Sequence, residues 1–180
     1  MKIFNFLLSG IILSTIFFSC SNSTKYSIEI KKLDSTLLAL DTCIQNYSAI
    51  DTVKILNQLN EIKQDLKICE ENIKDTLSFE TAAILSEYRT SSKPFRLILE
   101  QYSSYSNDLT KSKKQIINLI HDFKIDKVEE SKVAGYVQQE LMTASNAVHL
   151  SNISIDLAKL YSEKFEIYKP KVNAFINTFK

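Results

Sequence analysis

Three polar residues, Asn146, His149 and Asn152, recur every third position near the middle of the C-terminal half. An imidazole flanked by two amides on one helix has the residue types to hold a ligand or to carry a proton near neutral pH. A polar stripe turned to solvent has the same pattern. The other histidine is His121, and a bundle di-iron centre would need a Glu three residues before each histidine. Those positions hold Asn118 and Asn146. HExxH, CxxCH and GxSxG are absent, and two glycines in 180 residues leave no phosphate-cradling loop. Asp126, Glu129 and Glu130 form an acidic group of the kind that favours a helix start. No catalytic residue, metal ligand or cofactor site is expected, and the chain does not read as an enzyme.

Three tripeptides, Asp34-Ser35-Thr36, Asp51-Thr52-Val53 and Asp75-Thr76-Leu77, resemble the D-(S/T)-(apolar or Thr) acceptor pattern of an envelope O-glycosylation system in some Gram-negative bacteria. That resemblance implies sugar on Ser35, Thr52 and Thr76. An Asp-Thr pair at a helix start is equally a cap. The hydroxyl-rich run from Tyr102 to Asn107 suits either a glycan- or peptide-binding face or a half-buried helix.

The first twenty residues, MKIFNFLLSGIILSTIFFSC, have a basic Lys2, an apolar run from Ile3 to Phe18, and small Ser19 before Cys20. This segment resembles a bacterial lipoprotein signal peptide, although Phe17 and Phe18 stand where the family usually has Leu and a small or medium residue. The resemblance implies removal of residues 1–19 and diacylation of Cys20. Residues 20–25 then form a lipidated tether, and 26–180 a single helical domain. No acidic residue directly follows Cys20, which points to the outer membrane, facing the periplasm, within a bacterial cell envelope. Two other readings remain. One is a plain secretory signal. The other is an uncleaved anchor, for which the run falls short of the roughly 20 apolar residues of a spanning helix.

Composition narrows the fold. Lys plus Arg is 22 against Asp plus Glu 21, a near-neutral balance without the basic excess of a nucleic-acid binder. Beyond the signal only Gly135, Pro94 and Pro170 break backbone regularity. Hairpin turns need residues that accept positive φ, so the class is all-α.

Hydrophobic spacing supplies the elements. Tyr26, Ile30, Leu33, Leu37, Leu40, Ile44 and Tyr47 alternate four and three, as the seam of a bundle helix does. Ile55, Leu59, Ile62, Leu66, Cys69 and Ile73 repeat the pattern after a short connection at Ser48–Asp51. Two seams so close predict an antiparallel hairpin. In that topology Cys43 and Cys69 sit roughly 20 Å apart along the axis, beyond the ~7 Å reach of a disulfide, so two free thiols are expected.

Asp75–Ser78 either breaks the second helix or lies within one long helix to Arg89. Thr90–Pro94 is the clearest break. A third helix follows to Phe123, with Ser106 and Lys113 on its seam. In the fourth, Val133, Val137, Leu141, Ala144 and Val148 occupy one face, and Leu150, Ile153, Leu157 and Leu160 nearly the opposite one. That switch means a kink, a break near Ser151–Asn152, or a helix buried on two sides. Pro170 disturbs the helix locally. A stripe from Tyr161 to Phe179, flanked by lysines, either packs in the bundle or docks elsewhere.

The expected architecture is an antiparallel bundle of about four long helices, some kinked. The expected role is a membrane-tethered envelope lipoprotein whose bundle binds another envelope protein or acts as a structural module. The alternative is a small-molecule carrier or inhibitor-like module with a pocket between helices. The membrane, through lipidated Cys20, and an envelope protein are the expected partners.

Overall fold

The computed structural model describes residues 25–179. Cys20 and the signal-like run lie outside them. The described residues form five α-helices and one 3-10 turn: α1 (Ser27–Ser48), α2 (Thr52–Asn72), α3 (Phe79–Thr90), α4 (Ser92–Lys124), α5 (Glu130–Ile176) and the turn Asn177–Phe179. The fold is an all-α antiparallel bundle, as composition requires.

The five helices stand in three columns. α5, 47 residues and about 70 Å long, is the backbone of the bundle. α1 and α2 follow one another along it in the same direction. Tyr26 reaches Asp126, Cys43 reaches Asn152, Gln58 reaches Glu166, and Asp65 receives Lys169, so the partner stays 100 to 109 residues ahead throughout. The predicted α1–α2 hairpin is therefore corrected to a tandem. The reason lies in the connection. Ala49 is right-handed and Asp51 sits at φ −78°, so no residue there adopts the left-handed conformation that usually turns a chain off a helix end. Asp51 then starts α2 by accepting the Lys54 N–H at 2.8 Å.

The second column runs the other way. α3 returns beside α2 after the 73–78 connection, with Ser78 as its cap, accepting from Thr81 N–H at 3.1 Å. The open question at Asp75–Ser78 resolves as a break. Thr90–Pro94 is also a break, as expected, but one that does not reverse the chain: α3 ends at Thr90 and α4 starts at Ser92. Ser91 keeps right-handed angles (φ −70°, ψ −21°), and α4 begins one residue later. Proline is tolerated in a first turn, where its missing N–H costs little. α4 then descends along α1, with Tyr102 stacked on Tyr47, Lys113 on Asp41 and Phe123 on Tyr26.

Asp126 reverses the chain into α5. It is the one non-glycine residue with positive φ (52°) among those described. Its N–H bonds Phe123 O, and Lys127 N–H bonds Asp122 O, the paired closure of a Schellman turn.

Two cores fill the columns. One joins α1 to the C-terminal half of α4 and the N-terminal half of α5, around Leu33, Leu40, Leu109, Ile116 and Phe123. The other joins α2, α3, the start of α4 and the end of α5, around Ile62, Tyr88, Phe95, Ile98 and Phe165. Ile50, in the α1–α2 connection, packs against both. Cys43 belongs to the first and Cys69 to the second. Both are free thiols, held apart by the tandem rather than by a hairpin. The Tyr161–Phe179 stripe packs within the second core.

The face switch in α5 has a simple cause. Its buried seam continues through Ala144, Ala147, Ser151, Ser154 and Ala158, still alternating three and four. These residues are small, so the seam vanishes from a search for large apolar side chains. The helix does not break at Ser151, and it passes through Pro170 intact. On α4 the matching seam runs through Tyr105 and Ser112, not Ser106 and Lys113. Lys113 instead lies beside the seam and pairs with Asp41 at 2.6 Å.

Candidate binding groove

The suggested Asn146, His149 and Asn152 site does not assemble. Three-residue steps drift by about 60° on a helix, which leaves Asn146 and Asn152 roughly 120° apart around α5. Asn146 borders the α4 side, near Tyr105 and Asp108. Asn152 turns toward α1, within 3.6 Å of Cys43 Sγ. His149 points outward between them, exposed. The acidic group near the α4–α5 turn is spent on ion pairs. Asp126 takes Lys25 at 3.1 Å, and Glu129 takes Lys132 at 2.9 Å. Hydrogen bonds from Lys25 and then Tyr26 hold the Asp126 carboxyl below its ordinary range. Among the described residues no three His, Cys, Asp or Glu side chains converge in a metal-holding group.

The sugar-acceptor candidates sit in three different settings. Ser35 is exposed on α1. Thr52 is half-buried at the first turn of α2, where Asp51 serves as the cap. Thr76 is exposed in the 73–78 connection. In the hydroxyl-rich run, Tyr102 is committed to the core by its 5.0 Å stack on Tyr47, while Ser103, Ser104 and Asn107 face out.

What the geometry does assemble is a long groove between the α1–α2 column and α5. Three hollows lie along it in series. The first, of ≈ 710 Å³, is bordered by Ile28, Lys31, Lys32, Ser35 and Leu141. The second, of ≈ 450 Å³, shares Ser35 and continues past Leu38, Ala39 and Thr42 to Asn46. The third, of ≈ 290 Å³, shares Asn46 and runs across the α1–α2 break to Ile155, Lys159 and Ser162. All three are open to solvent rather than closed. Leu141, Val148 and Ile155, seven residues apart and half-buried, form the α5 side of the floor.

The α1 side explains why the groove exists. Beside the inner apolar seam runs a second row with the same four-three spacing: Lys32, Ser35, Ala39, Thr42, Asn46 and Ala49. Most of these side chains are too small to fill the space over the α1–α5 contact. Ile28 and Leu38 stand at its edge, 66% and 71% exposed. This row is not visible in the spacing of large apolar residues, because most of its members are small or polar. The second periodicity, offset by two from the first, was the signal available.

Beneath the groove, the small-residue seam of α5 leaves polar atoms inside. The buried hydroxyls of Tyr47 and Ser151 have no hydrogen-bond partner among the described residues. Burial pushes the Tyr47 phenol up to about 12, and burial also raises the Cys43 thiol above its ordinary value. Cys43 is therefore a packed thiol and a poor nucleophile near neutral pH.

Comparison with known protein families, with curated proteins and with solved structures returned no match. Among the described residues no helix is long and apolar enough to cross a membrane.

Proposed function

We infer that the chain is a lipid-anchored cell-envelope protein whose bundle binds another protein rather than catalysing a reaction. What supports this role is how few residues separate Cys20 from the folded bundle. Only Ser21–Lys25 separate it from Tyr26, which is buried at the start of α1, stacked on Phe123 and bonded to Asp126. Five extended residues reach at most about 18 Å. Acyl chains on Cys20 would thus hold the α1 end of the bundle close to the bilayer and present the sides of the helices to neighbouring proteins. Two or more acyl chains give stable anchoring, since each buried methylene contributes about 0.8 kcal/mol.

The deciding experiment has two arms. Cys20→Ser should abolish fatty-acid labelling and release the protein from membranes; retention of both would end the lipoprotein assignment. Photo-crosslinkers placed around the exposed surface in cells should capture one dominant envelope protein. Capture no richer than that of an unrelated bundle anchored through the same Cys20 segment would end the binding role.

A further inference from the structure

We propose that the α1–α5 groove receives one amphipathic helix from the partner, apolar on its docking face and acidic along its flanks. This specifies the surface and the partner chemistry, and it rests on the binding role inferred above.

Shape comes first. α1 and α5 are parallel over the length of α1, 22 residues or about 33 Å. The hollows between them are joined end to end at Ser35 and Asn46. A helix seats its side chains between those of its neighbours, and small residues on one side let the backbones approach. Here the four-three row from Lys32 to Ala49 offers small sites on α1, and Leu141, Val148 and Ile155 offer an apolar floor at heptad spacing on α5. Side chains at a and d of an incoming helix match both periodicities. A docked helix would also cover Ile28 and Leu38.

Charge selects the occupant. The residues bordering the three hollows include Lys31, Lys32, Lys54 and Lys159, against a single acid, Asp51. Asp51 is engaged as the α2 cap, and Lys54 pairs with Glu166 at 3.1 Å. Lys31, Lys32 and Lys159 form no ion pair among the described residues. Acidic flanks on the incoming helix would meet these lysines at both ends of the groove, and basic flanks would be repelled.

The test uses the full chain in detergent and two synthetic amphipathic helices of about three heptads. Both carry Leu at a and d; one has Glu at e and g, the other Lys. Fluorescence anisotropy should show the Glu-flanked peptide binding at least tenfold tighter. The double variant Lys31→Glu, Lys32→Glu, at two exposed positions, should weaken it about tenfold and invert the preference. Ala39→Trp, which fills the exposed floor, should abolish binding, with the helical circular dichroism and melting curve of each variant checked against the parent.

Equal affinity for the two peptides, no binding of either, or indifference to these variants overturns the proposal. So does self-association lost on Ala39→Trp, which makes the occupant a second copy, and so does a sugar found on Ser35 of the native protein. A crosslinker at Phe79, at the far end of the bundle, separates the two inferences. Capture there and none at Leu38 leaves the binding role standing and removes the groove. Capture at no position on the exposed surface removes both.

Discussion

Lys169 on α5 donates to Asp65 on α2 at 2.6 Å, and the same carboxylate accepts the Tyr88 hydroxyl of α3 at 2.7 Å. Asp65 is only 7% exposed, so one buried carboxylate ties three helices together at the end of the bundle away from α1. Lys169 keeps a second partner, Glu61, at 3.1 Å. Removing Asp65 strands a buried phenol and half-strands an ammonium. Asp65→Ala should therefore destabilise the fold by about 2–4 kcal/mol, below the full cost of breaking a buried pair because Glu61 remains. Asp65→Asn, which keeps an acceptor for Tyr88, should cost less. Urea denaturation followed by circular dichroism measures both, and equal stability of Asp65→Ala and the parent would show that the contact is not closed in solution.

The same cluster sets an alkaline limit. Burial works against the charged Lys169, but the hydrogen bonds it donates to Asp65 and Glu61 outweigh it and raise its pKa above the ordinary 10.5. Burial and then the Asp65 hydrogen bond raise Tyr88 as well. Both groups bind their proton more tightly when folded. Their contribution is complete below the unfolded values, near pH 10, and is lost as pH rises through the folded ones. The urea midpoint should hold level from pH 7 to about 8, slope down as the buried thiols Cys43 and Cys69, also raised by burial, lose their share, and fall more steeply beyond about 9.5. Lys169→Met should start lower and fall less steeply. A midpoint that rises with pH in that window contradicts the assignment.

How much of this was legible varies with side-chain size. The inner seam of α1, Tyr26 to Tyr47, could be read residue by residue because every member is large and apolar. So could the absence of β-structure, from the scarcity of glycine. The middle of α5 could not, because Ala144, Ser151 and Ala158 mark a seam by position and not by bulk. The groove was missed for the same reason on α1. The direction of α2 is not legible, because a short connection reverses a chain only with backbone angles, here those at Ala49 and Asp51, that spacing does not encode. Asn146, His149 and Asn152 looked grouped because sequence distance hides a 60° drift per step.

Two backbone substitutions test how α5 carries its length. Gly135 lies inside the helix, and a Cβ there would meet nothing within 4 Å. Gly135→Ala should stabilise by roughly 0.5–1 kcal/mol. Pro170 is exposed and leaves the Glu166 carbonyl without its helical donor. Pro170→Ala should stabilise by about 1–3 kcal/mol. Thermal melts read both, and a loss of stability at Pro170 would mean the proline fixes a bend that the second core requires.

Asp126 tests the reversal between α4 and α5. Its φ of 52° is a conformation that glycine adopts freely and alanine does not. Asp126→Ala should cost about 1–2 kcal/mol from backbone alone. Asp126→Gly should be close to neutral, the conformational relief offsetting the lost contacts to Lys25 and Tyr26. If the two variants melt together, the side-chain contacts and not the backbone angle govern the turn.

The tandem of α1 and α2 separates most sharply from the hairpin by distance. Ser35 and Lys63 are both exposed, on α1 and α2. In tandem they lie about 40 Å apart, twenty-eight helical steps with a short interruption. In a hairpin turning at Ala49 they would face each other at about 10 Å, the spacing of packed helices. Spin labels at the two positions, with Cys43→Ala and Cys69→Ala to leave no competing thiols in the cores, would show the difference by pulsed dipolar spectroscopy. A distribution centred near 40 Å supports the three-column arrangement and, with it, a groove that runs past the α1–α2 break. A short distance would fold α2 back along α1, close the groove, and detach Asp65 from Lys169.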